Sequence, residues 1–267
     1  MSKTVIITGG SSGIGQACAL EYGERGFNVV FTGRNLERMG KTQGLLSEKG
    51  IDCLAISVDA ASREGAQDVI NQTVEKYGSV DTLICNAGIS MRAMFEDIDL
   101  DIFQKVMDVN FMGAVYYVKS ALPYLLKSKG AIIAISSING HRGTPARTAY
   151  TASKYAMEGF FEALRTELMY RDVHVLVVSP GFTGTNIRNM ALTGDGNIQG
   201  ESPRDETKMM TSEEVARIIY RGQVKKKRDI ILTTQGKLAV FLTKWMPSQM
   251  DKIVYKVMAK EPDSPFK

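Results

Sequence analysis

Short apolar runs alternate along the chain with stretches whose apolar residues recur at helical spacing. Thr4–Thr8, Asn28–Thr32, Asp52–Val58, Thr82–Cys85, Ala131–Ser136, Val173–Ser179 and Asp229–Thr233 read as strands. Ala131-Ile-Ile-Ala-Ile135 and Val175-Leu-Val-Val178 are apolar without a break, as strands buried on both faces are. Amphipathic periodicity predicts helices near 14–26, 35–49, 63–77, 100–127, 150–171 and 212–223. Such alternation predicts an α/β fold, a doubly wound parallel sheet of about seven strands with helices on both faces. No repeat, low-complexity tract or Pro/Gly/Ser-rich linker interrupts 1–267, so one domain is expected. Ligands of such sheets bind beyond the carboxyl ends of the strands, which gives every motif a place to be checked against.

Composition narrows the picture by exclusion. Of 267 residues, 44% are hydrophobic and 23% charged, which is ordinary for a globular chain. Cys18, Cys53 and Cys85 are odd in number, far apart and each inside an apolar element. That suits core thiols in a reducing compartment. With His141 and His174 as the whole histidine content and no ligand-spaced cysteines, no metal site is expected. Met1-Ser-Lys3 leads straight into the first strand, and no apolar stretch approaches the roughly 20 residues that span a bilayer. A cytoplasmic location is therefore expected. A net charge of +4 and the lack of any recognised module give no case for nucleic-acid binding.

Two segments carry chemistry. The first, Thr8-Gly9-Gly10-Ser11-Ser12-Gly13-Ile14-Gly15, lies between the first strand and the first helix. Glycines at such a junction permit a tight turn and let backbone approach a pyrophosphate at a helix N-terminus. The second strand ends in Phe31-Thr32-Gly33-Arg34-Asn35, with no carboxylate to take the ribose 2′-hydroxyl of NAD. Arg34 suits a 2′-phosphate, so NADP(H) is expected over NAD(H). The second segment is Tyr150-Thr-Ala-Ser-Lys154, with Ser137 13 residues upstream of the tyrosine. Four positions apart on a helix, Tyr150 and Lys154 share a face. An ammonium beside a phenol is expected to lower its pKa. A drop of roughly three units takes on the order of 4 kcal/mol. Such a phenol is an acid/base matched to neutral pH.

With these residues in view, the chain resembles the short-chain dehydrogenase/reductase family over about residues 1–190. The resemblance rests on Thr8-Gly-Gly-Ser-Ser-Gly-Ile-Gly15, Asp59 after the third strand, Asn86-Ala87-Gly88 after the fourth, Asn110, Ser137, Tyr150, Lys154 and Pro180-Gly181, in that order. It implies a Rossmann fold and reversible hydride transfer between a nicotinamide and a carbonyl or secondary alcohol. By resemblance, Tyr150 is the general acid/base, Ser137 binds the substrate oxygen, Lys154 binds the nicotinamide ribose, and Asn110 supports a water-linked proton relay. Asn110 also suits a simple backbone kink in a long helix. Gly9, Ser11, Ser12, Gly13, Ile14 and Gly15 would cradle the pyrophosphate. Asp59 would accept from the adenine amino group, with Ala60 adding backbone contacts and Asn86, Ala87 and Gly88 lining the ribose. Pro180, Gly181, Thr183 and Thr185 would hold the carboxamide, though both threonines also suit helix capping. Ser12 stands where many NADP-using members carry a basic residue, so Arg34 bears the phosphate selection alone.

The remainder is less regular. Residues 186–210 carry Gly194, Gly196, Gly200 and Pro203, and by resemblance cover the substrate. Ile89, Met91, Asn139, His141, Phe182, Ile187 and Met190 are candidate pocket residues, which suggests a medium-sized apolar substrate. His141 also reads as an ordinary loop histidine. Between Arg221 and Lys260, ten Lys/Arg face only Asp229 and Asp251. Apolar residues lie between them, and the layout is similar to the C-terminal extension of hydroxysteroid-type reductases. This 221–267 segment is expected to form paired helices that pack on their own domain, join subunits or touch a membrane surface. The family's paired long helices imply a homodimer or homotetramer. A 3-oxoacyl-thioester reductase serving an acyl carrier protein is the alternative activity. An NADP-sensing binding protein is the non-enzymatic one.

Overall fold

The computed structural model of the chain describes residues 2–185, 187–200, 209–261 and 264–266. Among these residues seven parallel strands form one sheet: β1 (Thr4–Ile7), β2 (Asn28–Gly33), β3 (Cys53–Ser57), β4 (Thr82–Cys85), β5 (Ala131–Ile135), β6 (His174–Ser179) and β7 (Asp229–Ile231). Their order is β3-β2-β1-β4-β5-β6-β7. The chain builds outward from β1 to β3, then returns to lay β4 on the other side of β1. Loops leaving β1 and β4 therefore part in opposite directions and open a cleft at their carboxyl ends.

The helices are α1 (Gly13–Glu24), α2 (Leu36–Glu48), α3 (Arg63–Tyr77), α4 (Leu100–Met107), α5 (Gly113–Ser128), α6 (Thr148–Glu167), α7 (Ser212–Val224), α8 (Thr234–Trp245) and α9 (Pro247–Ala259). Local chemistry starts several of them. Asn35 Oδ1 accepts from the Arg38 N–H at 2.8 Å, Ser62 Oγ from the Gly65 N–H at 2.9 Å, and Thr211 and Glu214 close a capping box. Strand side chains alternate between two cores. Val5, Ile7, Val29, Phe31, Ile133 and Val178 pack with α1, α2 and α7. Ile6, Val30, Leu83, Ile132, Ala134 and Val177 pack with α3, α5 and α6.

The helix expected over 100–127 is broken in the middle. Asp108–Met112 forms a wide π turn, in which the Gly113 N–H reaches back five residues to the Asp108 carbonyl. The turn accommodates one extra residue and presents Asn110 to the loop after β4.

Two further segments frame the cleft. Residues 187–200 dock on the loop after β4: Leu192 bridges to Met91 in parallel, and the Asp99 N–H donates to the Gly194 carbonyl at 2.9 Å. Asn186 and residues 201–208 of the expected substrate loop lie outside the described residues. The C-terminal segment forms the expected helix pair, and it packs on its own chain through buried Val240, Met250 and Met258. Arg142 clasps Asp251 of α9 at 2.5 Å. Leu238, Phe241, Trp245, Ile253 and Val257 stay exposed. Among the described residues, no helix is long and apolar enough to cross a membrane.

Candidate active site

The glycine loop is tied to the loop after β4 by a few hydrogen bonds. Thr8 Oγ1 accepts from the Asn86 N–H at 2.9 Å and from the Ala87 N–H at 3.0 Å. The Asn86 side chain donates in return to the Thr8 and Gly9 carbonyls at 3.0 and 3.1 Å. Gly15 makes this approach possible, because a Cβ there would lie 2.3 Å from the Gly9 oxygen and 2.5 Å from the Asn86 amide nitrogen. Gly9 and Gly13 both hold positive φ, at 66° and 55°. Ser12 is extended and makes no side-chain cap, so it leaves the α1 N-terminus around Ile14 without one.

The adenosine-side residues gather at the ends of β2 and β3. The Ser11 hydroxyl lies against Gly33, 2.9 Å from where a Cβ would stand. Next to it, Arg34 faces Asp59 at 3.8 Å, with both side chains more than half exposed. Asp59 accepts from the Ala61 N–H at 3.0 Å, and the Ala60 carbonyl abuts the start of α5 at Gly113. From the other side, Thr185 comes within 3.4 Å of a Cβ position on Gly13. The Pro180–Thr185 segment is thereby brought onto the glycine loop. Pro180 accepts from the Ile138 N–H at 3.0 Å, Gly181 packs on Thr233, and Thr183 is buried.

Ser137, Tyr150 and Lys154 converge at the carboxyl end of β5. Ser137 opens the turn that follows the strand, and its Oγ accepts from the Asn139 N–H at 3.2 Å. Its hydroxyl also lies near enough to the Tyr150 phenol to pull the phenol's pKa down. Lys154 is 4% exposed, and its ammonium donates to the Ile135 carbonyl at 2.9 Å. The same ammonium stands 5.7 Å from the Tyr150 ring centroid. Burial pulls Lys154 down to about 8, against an opposing pull from Glu158.

The surroundings of Tyr150 shift its pKa in the direction opposite to the sequence expectation. Burial pushes its pKa above the ordinary phenol value, outweighing Ser137, Arg147 and Arg188, which pull it down. The ring packs with Met91, Ala149 and Leu192, and desolvation of a phenolate there dominates. The hydrogen bonds of Lys154 go to the Ile135 carbonyl at 2.9 Å and the Met157 sulfur at 3.5 Å.

Asn110 is 1% exposed and fully engaged. Its Oδ1 accepts from the Ile89 N–H at 2.7 Å, and its amide donates to the Ile89 carbonyl at 3.0 Å and to Ser153 Oγ at 2.9 Å. Ser153 in turn donates to the Tyr150 carbonyl at 2.8 Å. Asn110 thus ties Ile89, just after the Asn86-Ala87-Gly88 loop, to α6, and these side-chain bonds reach other elements rather than the backbone of its own kinked helix. Of the pocket candidates, Phe182 and Met190 are exposed and Ile187 is half-buried. Met91 has no accessible surface and supports the wall from behind. Asn139 bonds Thr144, and His141 turns to Ser179 and Glu158. Thr8 and Ser153 stand inside the two motifs without an assigned role, and Glu158 lies outside both. A polar β-branched residue closing the first strand was the available signal for Thr8; the other two lie on α6 beside residues that carry assigned roles.

Comparison with known proteins places the chain in a family. The family model described as short chain dehydrogenase matches residues 3–195. The rat protein named dehydrogenase/reductase SDR family member 7B is 34% identical, over 97% of this chain and 81% of its own. A sesame (Sesamum indicum) protein named 11-beta-hydroxysteroid dehydrogenase A is 30% identical, over 99% of this chain and 78% of its own. Among solved structures, a short-chain dehydrogenase/reductase from Burkholderia phymatum in complex with NAD aligns with a TM-score of 0.83 at 20% identity, covering 93% of this chain and 95% of its own. An alcohol dehydrogenase from the archaeon Thermococcus sibiricus, complexed with 5-hydroxy-NADP, aligns with a TM-score of 0.74 at 23% identity, covering 87% and 96%. The chain belongs to the short-chain dehydrogenase/reductase family of oxidoreductases.

Proposed function

We propose that this chain transfers a hydride reversibly between NADP(H) and the carbonyl or secondary alcohol of a medium-sized apolar substrate. One observation carries the reading: Ser137, Tyr150 and a buried Lys154, whose ammonium stands 5.7 Å from the Tyr150 ring centroid, gather at the same sheet edge as the glycine loop. The residues present fit a phosphorylated dinucleotide. The α1 N-terminus has no side-chain cap, a Cβ would fill the cradle at Gly15, and Arg34 offers an exposed guanidinium beside it. Gly9, Ser11, Ser12, Gly13 and Ile14 would hold the pyrophosphate. Asp59, Ala60, Asn86, Ala87 and Gly88 would hold the adenosine half. Pro180, Gly181, Thr183 and Thr185 would hold the carboxamide. The nicotinamide, when bound, supplies or accepts the hydride.

The protein's own groups then move one proton and steady one oxygen. Ser137 donates to the substrate oxygen as charge develops on it. Tyr150 gives its proton to that oxygen in reduction and takes it back in oxidation. Lys154 places a positive charge under the phenol and would take the ribose hydroxyls. The acyl-carrier alternative wants a basic surface at the mouth. The Lys225–Arg228 run stands instead where α7 returns to the start of β7, with the Lys227 carbonyl bonded to His174 at the start of β6. That is the amino edge of a parallel sheet, opposite the cleft.

The C-terminal helices support a second contact. Leu238, Phe241 and Trp245 share one face of α8, Ile253 and Val257 share one face of α9, and Lys237, Lys244, Lys252 and Lys256 border them. An apolar strip edged by lysines complements an anionic lipid surface, and this chain would dock there peripherally.

Three outcomes are expected. Tyr150→Phe lowers kcat by about 10²–10⁴-fold, the usual worth of a general acid; near-normal turnover refutes the assignment. Arg34→Ala raises KM for NADPH by about 10–100-fold, from roughly 1.5–3 kcal/mol for a charged hydrogen bond, and leaves NADH unchanged. Tighter use of NADH by the unaltered protein refutes the cofactor choice. Liposome co-sedimentation is expected with anionic vesicles at low salt and is lost at high salt. No sedimentation removes the lipid contact, and a salt-insensitive dimer assigns the strip to a second copy of the chain.

A further inference from the structure

Three elements of the candidate site meet at a polar joint that has no task in the reading given so far. Ser179 ends β6, one residue before Pro180 and Gly181. His141 closes the short turn that Ser137 opens. Glu158 lies one helical turn beyond Lys154 and two beyond Tyr150 on α6, so the three share a face. The Ser179 hydroxyl donates to Glu158 Oε1 at 3.0 Å. His141 Nε2 lies 3.0 Å from Ser179 Oγ and 3.3 Å from Glu158 Oε1. Since the serine proton goes to the carboxylate, its oxygen accepts from His141, which assigns the imidazole proton to Nε2. Each pair of elements is thereby joined: turn to strand, strand to helix, helix to turn.

The residue types invite comparison with a serine hydrolase relay, and the geometry rejects it. Both contacts of His141 use the same nitrogen, whereas a relay needs the base between serine and acid. Ser179 is 2% exposed, so no substrate reaches it. Cohesion alone does not explain the joint either, because apolar side chains of similar volume hold buried elements together as firmly. What hydrogen bonds add is direction, since they fix distance and angle where apolar surfaces slide.

The direction matters because Ser137 and Tyr150 sit on different elements. Ser137 begins the turn and His141 ends it. Inside the turn, the Ser137 carbonyl accepts from the Gly140 N–H and the Ile138 carbonyl from the His141 N–H, both at 2.9 Å. The start of the turn is held to β6 by the Ile138 N–H on the Pro180 carbonyl at 3.0 Å. Its end is held to α6 by His141 and Glu158. Gly140 seats the turn on the helix at the same point. A Cβ there would stand 2.9 Å from Glu158 Cγ and 3.0 Å from the Lys154 carbonyl, and would push turn and helix apart. Neighbouring side chains lead elsewhere. Arg142 goes to Asp251 of α9, and Asn139 bonds Thr144 in its own loop at 2.9 Å. Asn139 reaches Thr151 of α6 only at 3.5 Å, beyond the usual hydrogen-bond range.

We propose that His141 and Glu158 are positioning residues, hydrogen-bonded through Ser179 so that the Ser137 turn keeps its place against the helix that carries Tyr150. The proposal rests on the reading of Ser137 as the group that holds the substrate oxygen. Neither residue touches substrate. Their effect runs through geometry, where a displacement of about 1 Å costs on the order of 10²-fold in rate.

A double-mutant cycle in the full chain tests this, with kcat read from NADPH oxidation on a simple aromatic ketone and amide hydrogen exchange read without turnover. His141→Leu is expected to lower kcat by about 10–100-fold and to speed exchange at Ile138 and His141. His141→Gln keeps an N–H donor and restores most of both. Glu158→Leu is expected to match His141→Leu, whereas Glu158→Gln keeps an acceptor oxygen and stays near the unaltered protein. With Ser137→Ala already present, His141→Leu is expected to cost little more, because the hydroxyl it positions is gone; a merely structural defect adds its full loss to that of Ser137. Ser179→Ala removes the shared hydroxyl with little change of volume and is expected to show a smaller loss with the same dependence on Ser137. That variant keeps the test open if the leucine variants fail to fold. Unmoved exchange in His141→Leu and Ser179→Ala overturns the proposal whatever the turnover. Normal kcat in both beside a damaged Ser137→Ala overturns it alone, as does a His141→Leu loss that persists in full without the Ser137 hydroxyl. Near-normal kcat in Ser137→Ala refutes the reading of Ser137 and the proposal with it.

Discussion

The candidate site depends on one buried charge. Lys154 stands almost without solvent behind Tyr150, with its ammonium on the carbonyl that ends β5. Burying an ammonium is costly, and here the cost is offset by a fixed carbonyl, a polarisable sulfur and a carboxylate one turn away. Burial nonetheless draws the lysine down to about 8, close enough to neutrality for its charge to respond to its surroundings. Everything nearby is arranged around it. The π turn delivers Asn110, Asn110 fixes Ser153 on the same helix, and Ser153 bonds the Tyr150 carbonyl.

The sheet explains why these groups meet what binds across the cleft. Parallel strands place all their carboxyl ends on one edge, and the reversal between β1 and β4 parts the loops there. Thr8 and Asn86 follow those two strands and bind each other's backbone, so the glycine loop cannot move independently of the loop after β4. Thr185, after β6, closes on the glycine loop from above. Three loops from distant parts of the sequence thus become one surface. That arrangement sets the glycine loop and Tyr150 on one edge, as the proposed hydride-transfer site requires.

Much of this was legible in the sequence because it is local. β4 begins and ends where the apolar run does, and α3 spans the predicted 63–77. Thr8 and Ser136 read as strand residues by their β-branched or apolar neighbours, but the chain leaves the ladder there to form the loops. The π turn was hidden because Asp108-Val-Asn-Phe-Met112 keeps the apolar spacing of an ordinary helix; a tertiary contact to Ile89 creates it. The direction of the Tyr150 shift was misread for a similar reason. Spacing places a lysine near the phenol, but only packing reveals how much water the phenolate would lose. The cluster of His141, Glu158 and Ser179 spans three elements and has no sequence signature at all.

The central claim is that Tyr150 is a partly buried acid, protonated in the free protein, that the bound cofactor tunes. Titration of tyrosine 13Cζ in the full chain, with Tyr150 assigned by substitution and measured with and without NADP+, tests it most directly. Tyr150 is expected to titrate above the ordinary phenol value in the free protein and to fall when the cationic nicotinamide binds beside it. A Tyr150 midpoint below the ordinary value in the free protein, or one that NADP+ leaves unmoved, contradicts the account.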